Sequence, residues 1–348
     1  MPLPPARRTA PEVPFGRTLA TALVAVSLPL TGCASSPRTS SAPLPAATQT
    51  RSPPARTGTA RPPSVALRAR VTGRLPAPVQ LPAVAVRGRG LLMMGGLDAA
   101  DASVADIVRV DTHAARVVGR LPVALHDAGA ATAGGRTLFI GGGNAGVGSA
   151  EVLRVTPGRA ATRYARLPTG ASDVEAAAIG ATIYVVGGYT GTVPLRSIIA
   201  LGPRGRVRVV AEMPRALRYA AVAAVGGRIL IAGGTSGVTA RREILAFDPT
   251  TGRVQTVGRL PSPTTHAAGA TLDGRFYVVG GRGETLTGQR AAVLAIDPGS
   301  GRVRPAGRLP EPLSDLSAAS FADHVTVVGG RDPRGRVHDE ILTLTARP

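Results

Sequence analysis

Five side chains able to exchange protons or hold a polar ligand recur at nearly regular intervals. These residues are Asp127, Asp173, Tyr219, His266 and Asp315, and their spacings are 46, 46, 47 and 49 residues. Carboxylates and imidazoles can act as acid and base when they converge, and they can equally bind a polar ligand through hydrogen bonds. Either chemistry depends on whether the elements that carry these residues bring them together.

Further polar residues keep step with this set. The five residues and Leu81 each lie 14 positions before the first glycine of a Gly-Gly pair. The preceding position is also mostly polar, with Gln80, His126, Ser172, Arg218, Thr265 and Ser314. Polar or aromatic residues follow four of the pairs, namely Tyr189, Thr235, Arg282 and Arg331. These side chains either cap strand ends, as Asp and Ser commonly do, or shape an asymmetric binding pocket around a repeated scaffold.

The element that positions them is a repeat. A Gly-Gly pair follows a short apolar run six times, beginning at Gly95, Gly141, Gly187, Gly233, Gly280 and Gly329. A second marker begins 21 residues before each pair, as Arg-Leu-Pro in five repeats and as Glu212-Met213-Pro214 in the other. Two markers locked at one offset indicate a repeated structural unit of about 47 residues.

Each unit divides into four short strands, most clearly in the fifth repeat. The segment 266–272 is small and apolar, Asp273-Gly274 is a hairpin turn signal, and Phe276 to Val279 is the next strand. Two more strands follow, separated by the turn from Asp297 to Gly301. Four antiparallel strands per unit predict an all-β, six-bladed β-propeller.

The repeat resembles the kelch family over residues from about 65 to 346. Tyr184-Val185-Val186-Gly187-Gly188 and Tyr277-Val278-Val279-Gly280-Gly281 match its motif of an apolar run before two glycines. Kelch repeats usually carry a tryptophan in the fourth strand, and this chain has none; Val257 and Ala306 lie near that position. The resemblance implies a propeller with divergent blades that pack smaller side chains.

The two ends of the repeat region predict how the ring closes. The last repeat ends after its third strand, and an unassigned alternating segment at about 65–73 precedes the first marker. Closure of a propeller within one blade removes exposed strand edges. The N-terminal segment should therefore complete the blade formed by residues 314–345.

The motifs that would identify a cofactor or metal enzyme are missing from the sequence. There is no phosphate-binding glycine loop, no His-x-x-x-His or Cys-x-x-Cys, and no Gly-x-Ser-x-Gly. The five histidines lie in different parts of the chain, and the lack of tryptophan excludes the repeated box of sialidases. We therefore predict no metal and no cofactor.

The first residues of the chain carry an export signal. Arginines at 7, 8 and 17 precede an apolar stretch from Leu19 to Leu30, which is too short to span a bilayer. The sequence Leu30-Thr31-Gly32-Cys33 resembles the lipobox of bacterial lipoproteins, and Cys33 is the only cysteine. The resemblance implies lipidation at Cys33 and anchoring to the outer face of the cell membrane, by a general or a twin-arginine export route.

Three segments follow from this organisation. Residues 1–32 are predicted to be a lipoprotein signal peptide, and residues 33–64 a disordered tether, because the tether is rich in Pro, Ser, Thr and Arg and has little apolar surface to bury. Residues 65–348 are the predicted propeller. The net charge of +20 comes from arginines scattered through every repeat without a nucleic-acid motif, so nucleic acid is not an expected partner.

Three functions remain open from the sequence, and the weakest of them is electrostatic binding to anionic envelope polymers through the scattered arginines. The first is a binding or scaffolding module at the cell envelope, with a protein or glycan as its partner. The second is an exported carbohydrate-active enzyme, similar to kelch-like sialic acid epimerases, with Asp127, Asp173 and His266 as acid and base. In either case the candidate binding residues are Asp127, Asp173, Arg218, Tyr219, His266, Asp315, Tyr189, Arg282 and Arg331. If these residues lie outside the core, each alanine substitution should change stability by at most about 1 kcal/mol.

Overall fold

Each of the six repeats folds into one blade of four principal antiparallel strands. The computed structural model describes residues 66–237 and 239–347. The predicted signal peptide, tether and lipidation site at Cys33 lie outside the described residues. Inside them, the all-β, six-bladed propeller expected from the sequence is confirmed.

The strands are named in chain order. The first blade contains β2 (Ala83–Arg87), β3 (Gly90–Met94), β4 (Asp106–Val110) and β5 (Ala115–Arg120). The second blade contains β6 (His126–Ala133), β7 (Arg136–Asn144), β9 (Glu151–Val155) and β10 (Thr162–Arg166). The third blade contains β11 (Glu175–Ile179), β12 (Thr182–Val186), β13 (Ser197–Leu201) and β14 (Val207–Glu212). A two-residue strand, β8 (Val147–Gly148), pairs with β7 in the second blade.

The other three blades follow the same order from the innermost to the outermost strand. The fourth blade contains β15 (Ala221–Val225), β16 (Arg228–Ala232), β17 (Glu243–Asp248) and β18 (Arg253–Arg259). The fifth blade contains β19 (Ala268–Leu272), β20 (Arg275–Val279), β21 (Arg290–Ile296) and β22 (Val303–Leu313). The sixth blade contains β23 (Ser317–Ser320), β24 (His324–Val328), β25 (Glu340–Ala346) and β1 (Leu67–Arg74). One 3-10 turn, Pro203–Gly205, precedes β14. None of the helical segments in the described ranges is long and apolar enough to cross a membrane.

The ring closes as the sequence predicts. Strand β1 pairs antiparallel with β25, from Leu67 opposite Ala346 to Arg74 opposite Glu340. The sixth blade is therefore built from both ends of the repeat region. The innermost strands also contact their neighbours all the way round, including β23 against β2. The result is a closed ring of blades around a central channel.

The hydrophobic core consists of layers between adjacent blades. Six clusters of buried side chains each join two neighbouring blades. One example packs Phe139 of the second blade against Leu92 and Ile107 of the first. The marker that precedes each Gly-Gly pair contributes to these layers, because its Leu or Met is at most 4 % exposed in every repeat. The regular Leu-Pro signal therefore reports inter-blade packing.

The Gly-Gly pairs are required by close backbone contact. In the third blade Gly187 and Gly188 have φ angles of 61° and 116°, which L-residues rarely adopt. A Cβ on Gly187 would lie 2.2 Å from the carbonyl oxygen of Leu217, which lies in the next inter-blade loop. The pairs thus let the loop that follows each second strand approach the neighbouring blade.

Candidate functional site

The positions 14 residues before each Gly-Gly form a ring around the channel. All six have left-handed backbone conformations, with φ between 54° and 60°: Leu81, Asp127, Asp173, Tyr219, His266 and Asp315. Non-glycine residues rarely adopt this conformation, although Asp, Asn and His do so more readily than most. We call these six residues the mouth ring.

Backbone hydrogen bonds connect the mouth ring from blade to blade. The N–H of Asp173 donates to the carbonyl of Asp127 at 2.7 Å, and the N–H of Asp315 donates to that of His266 at 3.0 Å. In the same way, the N–H of Leu81 donates to the carbonyl of Asp315 at 2.7 Å. Such bonds link five of the six successive pairs of mouth-ring residues, the pair Asp173 and Tyr219 being the exception, and the left-handed conformation directs the N–H groups toward the preceding blade. This arrangement holds all six side chains at one end of the channel.

The three aspartates of the mouth ring are buried together. They and their neighbours line a cavity of about 30 Å³, which has room for roughly two water molecules. The Tyr219 hydroxyl donates to Asp127 Oδ2 at 3.3 Å. Burial, and then the charges of Asp173 and Asp315, raise the pKa of Asp127 well above its ordinary value. Burial also raises the pKa of Asp173 and of Asp315.

His266 is held as a neutral imidazole. Its ring stacks on Tyr219 with 3.7 Å between ring centroids. Arg282 Nη2 lies 3.1 Å from His266 Nε2, and because the guanidinium can only donate, Nε2 must accept. Nδ1 then carries the proton and faces the Thr265 hydroxyl at 3.1 Å. Burial, followed by the charge of Arg282, lowers the pKa of His266 well below its ordinary value.

Arg218 links the mouth ring to the loops outside it. Its guanidinium lies 4.3 Å from the centroid of Tyr189 and 4.8 Å from that of Tyr219. Nε is 3.2 Å from Asp173 Oδ2, so the cation also pairs with a buried carboxylate. Such a cation between two aromatic rings is a contact that stabilises even partly exposed arginines.

The loops after the second strands form an outer layer over the mouth ring. Isolated β-bridges pair Ser172 with Tyr189, and Ser314 with Arg331. Arg331 Nη1 reaches Asp101 at 3.2 Å, and Gln80 Nε2 donates to the same Asp101 oxygen at 2.7 Å. Further bridges of the same kind join Arg218 to Thr235 and Thr265 to Arg282. The outer layer carries its cations toward solvent, above the buried acids.

Other polar residues at these registers bond locally. His126 Nδ1 lies 2.8 Å from Ser103 Oγ, and its Nε2 is 3.7 Å from Asp127. The Ser314 hydroxyl donates to Asp315. The Thr235 hydroxyl donates to backbone carbonyls of its own loop. These residues stabilise the loops that carry the mouth.

Below the mouth ring the channel widens into a lumen of about 500 Å³. Small residues of the innermost strands line it, such as Ala130 of β6 and Gly269 of β19. Glu175, the first residue of β11, borders both the lumen and the small cavity. Burial raises its pKa from an ordinary value of 4.5 to about 8, so it is protonated at neutral pH. Glu175 is a candidate functional residue that the sequence analysis missed.

One signal in the sequence could have identified Glu175. The innermost strand of its blade reads Glu-Ala-Ala-Ala-Ile, and the equivalent strand of the fourth blade reads Ala-Val-Ala-Ala-Val. A lone acid that begins an otherwise alanine-rich channel strand faces other strands on both sides. Hydrophobic periodicity alone assigns Glu175 to the end of a strand, because it directly follows a loop.

Comparison with known proteins agrees with this architecture. Residues 216–261, which contain the whole fourth blade, match the Kelch motif. Fold and motif together support a kelch-repeat propeller. A solved structure titled "Structure of YjhT" is similar to this chain with a TM-score of 0.68, covering 79% of this chain and 97% of that one. The two are 14% identical, so the likeness is one of fold. No curated protein sequence matches this chain significantly.

The kelch propeller brings the nine candidate residues to one end of its channel but divides them into two layers. Asp127, Asp173, Tyr219, His266 and Asp315 lie in the mouth ring, and Arg218, Tyr189, Arg282 and Arg331 lie around or above it. One expectation changes. The aspartates were expected to be dispensable for folding, whereas all three are at most 9 % exposed, Asp127 and Asp315 accept side-chain hydrogen bonds, and Asp173 pairs with Arg218. The sequence left open whether these residues cap strand ends or shape a binding pocket. The two roles are compatible, because the inner layer holds the loops in place and the outer layer faces solvent.

Proposed function

We propose that this protein is an exported, lipid-anchored binding module of the cell envelope whose kelch propeller presents the outer layer of its mouth to a protein or glycan partner. One observation carries the binding role. Backbone hydrogen bonds link five of the six successive mouth-ring residues and hold the inter-blade loops at one face, and the loops differ from blade to blade in the polar groups they carry. A fixed scaffold with variable loops is how propellers and similar folds build ligand sites.

The size of the channel mouth decides where the partner contacts the protein. The inner cavity of about 30 Å³ is far smaller than the several hundred Å³ of a typical small-molecule pocket. A partner therefore meets Tyr189, Arg282 and Arg331 first. Aromatic and arginine side chains are enriched where proteins bind partners, and arginine forks recognise acidic groups on proteins or glycans. An acidic partner fits this layer best.

Binding is tested with the purified protein and a set of immobilised envelope glycans and envelope proteins. Arg282→Ala and Arg331→Ala should each weaken binding at least tenfold. Arg331→Ala should melt within a few degrees of wild type because its side chain lies partly in solvent, whereas Arg282→Ala should melt lower because it also removes the donor to the buried His266 Nε2. Arg253→Ala is the matched control, since it removes the same charge from exposed β18. Equal losses in all three variants would show a nonspecific effect of positive charge, and no loss would place the partner elsewhere.

The membrane attachment is a separate part of the proposal. It rests on Leu30-Thr31-Gly32-Cys33 after the short apolar stretch. A thioether-linked lipid needs the Cys33 thiol, so Cys33→Ala should remain unprocessed or leave the membrane fraction. Cys33→Ser is the close control, because it conserves size but lacks a thiol. Retention of both variants in carbonate-washed membranes would contradict the lipid anchor.

A second candidate function is an enzyme acting on sugars at the same mouth. It is favoured by the cluster of raised carboxyl pKa values beside a neutral His266, since perturbed groups concentrate at active sites. The buried position of Asp127 and Asp173 opposes it, because a sugar cannot reach them through the small cavity. Solvent deuterium incorporation into candidate sugars, followed by NMR, separates the two. Incorporation that Asp173→Asn abolishes would favour the enzyme.

A further inference from the structure

A second cluster of titratable groups lies away from the mouth ring, beside the blade that closes the propeller. His338 Nε2 is 3.4 Å from Asp332 Oδ2 and 3.7 Å from Glu311 Oε2. The three ligand atoms all lie within 4.8 Å of one another. The site joins the loop between β24 and β25 to the extended end of β22 in the preceding blade.

Two further contacts aim these atoms at one point. His338 Nδ1 lies 2.9 Å from Glu340 Oε2, which accepts the Nδ1 proton, so a neutral His338 offers the Nε2 lone pair to a metal ion. Asp332 Oδ1 accepts the backbone N–H groups of Arg334 at 2.8 Å and Arg336 at 3.0 Å. Oδ2 is thereby left to face His338. A carboxylate behind a histidine is the usual arrangement that orients a metal-ligating imidazole.

His338 Nε2 and Asp332 Oδ2 form only a long hydrogen bond, at 3.4 Å, and the distances in the cluster also fit a bound cation. A charge-assisted N–H···O bond is usually about 2.7–2.9 Å long, and both distances from His338 Nε2 exceed that. Zinc bonds to nitrogen and oxygen are about 2.0–2.1 Å, which places neighbouring ligands of a tetrahedral ion roughly 3.3–3.4 Å apart. The contact with Asp332 matches that edge, and the contact with Glu311 is slightly longer. We propose that Asp332, His338 and Glu311 bind a zinc ion.

The residue types define which cation fits. An imidazole nitrogen with two carboxylates suits zinc, whereas calcium and magnesium prefer all-oxygen shells. The side chains of His338 and Asp332 are only 5% and 10% exposed, whereas that of Glu311 is 57% exposed. Two ligands are thus held by the fold, and the third offers a path from solvent. A water molecule completes the tetrahedron.

The position of the cluster predicts what the ion would do. Glu311 belongs to β22 of the fifth blade, while Asp332 and His338 belong to the sixth. The carbonyls of His338 and Asp339 also accept the N–H groups of Val79 at 3.1 Å and Leu75 at 2.7 Å. Those two donors follow the N-terminal strand that closes the ring. Zinc here would tie the fifth blade to the closing blade at the point where the chain passes to the first.

Zinc binding is measured by calorimetric titration of zinc chloride into the chelator-treated, purified protein. The wild type should bind one equivalent and melt at higher temperature with zinc than without it. His338→Gln should bind at least 100-fold more weakly and lose the zinc-dependent rise in melting temperature. His324→Gln is the matched control, because it removes another imidazole that pairs with a carboxylate, at 2.7 Å from Asp323.

Glu311→Gln keeps the test valid if His338→Gln does not fold, because the Glu311 side chain is largely exposed and its contact with His338 is long, at 3.7 Å. This variant should fold normally and bind zinc at least tenfold more weakly. Cobalt provides an independent readout, since tetrahedral Co²⁺ in the wild type should show visible absorption that His338→Gln lacks. Failure of the folded wild type to bind zinc, or equal affinity in wild type and His338→Gln, would overturn the proposal.

Discussion

The mouth ring and the lumen belong to the same six blades, but their side chains have opposite character. At the mouth ring, polar side chains are packed around about 30 Å³ and are hydrogen-bonded to one another. In the lumen, alanine, glycine and serine residues surround about 500 Å³. The mouth depends on which side chains are present, whereas the lumen depends on side chains being small.

This difference separates what supports the ring from what can be changed for function. A lumen position tolerates no added volume wherever neighbouring strands touch, because backbone atoms cannot move aside. A mouth position tolerates a different polar group if its partners can still be satisfied. Three substitutions test this contrast, in order of decreasing expected effect.

The largest effect is expected in the lumen. A Cβ on Gly269 would lie 2.4 Å from the carbonyl oxygen and 2.5 Å from the nitrogen of Val222. Gly269→Ala should destabilise the protein by about 3 kcal/mol or more, since both atoms belong to the backbone of the adjacent inner strand. Gly274→Ala is the control, because that hairpin glycine has φ of 68° and a methyl group added there would meet no atom within 4 Å. It should cost about 1 kcal/mol in urea unfolding.

If Gly269→Ala and Gly274→Ala cost the same, the inner strands of the fourth and fifth blades are not in close backbone contact. The contrast between lumen and mouth would then lose its steric basis.

An intermediate effect is expected at the mouth. Asp173→Ala removes the carboxylate that faces Arg218 Nε at 3.2 Å and places alanine at φ of 56°. Loss of this partner leaves the partly buried Arg218 guanidinium unpaired on that side and should cost about 2–3 kcal/mol. Asp173→Asn keeps the size of the side chain and tolerates the left-handed backbone, so it should cost about 1 kcal/mol. Chemical unfolding of both variants checks the order.

A loss below about 1 kcal/mol in Asp173→Ala would restore the sequence-based expectation that the mouth ring is dispensable for folding. Asp323→Ala provides a surface reference, because its carboxylate is 86% exposed and its one ion pair within the described part of the chain is with His324. That variant should stay within about 1 kcal/mol of wild type.

The third effect is a slope against pH, the smallest of the three per pH unit, and it is expected where the two regions meet. Glu175 has a pKa of about 8 in the folded protein and an ordinary value of 4.5. The folded state therefore binds a proton that the unfolded state has lost, and this contribution to stability falls as pH rises from 4.5 to 8. The slope is at most about 1.4 kcal/mol per pH unit for one proton. Glu175→Gln should flatten the stability profile across that interval.

Unfolding free energies of wild type and Glu175→Gln are compared at pH 5, 6, 7 and 8. The difference between the two proteins isolates Glu175 from the aspartates of the mouth ring, which shift in the same direction. Parallel profiles would show that Glu175 ionises normally and is open to solvent in the lumen.

Much of the fold could be predicted because it repeats. The Gly-Gly and Leu-Pro markers recur at one offset, so each repeat supports the assignment of the others. The closing strand was predictable because the last repeat lacks a fourth strand and the segment before the first marker supplies one. Register also identified the mouth residues, since equivalent positions of a ring lie at the same end of its channel.

The chemistry of those residues could not be predicted from register. Whether Asp173 is buried depends on Arg218 and on the loop of the neighbouring blade, and Glu175 gains its raised pKa from strands distant in the chain. His338 meets Glu311 only because β22 extends beside the closing blade. None of these contacts repeats from blade to blade, so the repeat pattern of the sequence does not predict them.

By itself, the sequence determined the number of blades, their strand order and the way the ring closes, because these follow from local turn chemistry and apolar patterning repeated six times. Tertiary structure alone decided which carboxyl groups are buried away from water, which nitrogen of His266 accepts a hydrogen bond and which arginines face solvent. Those properties depend on distances of a few ångströms between blades, and the free energy of a buried charge changes steeply over such distances.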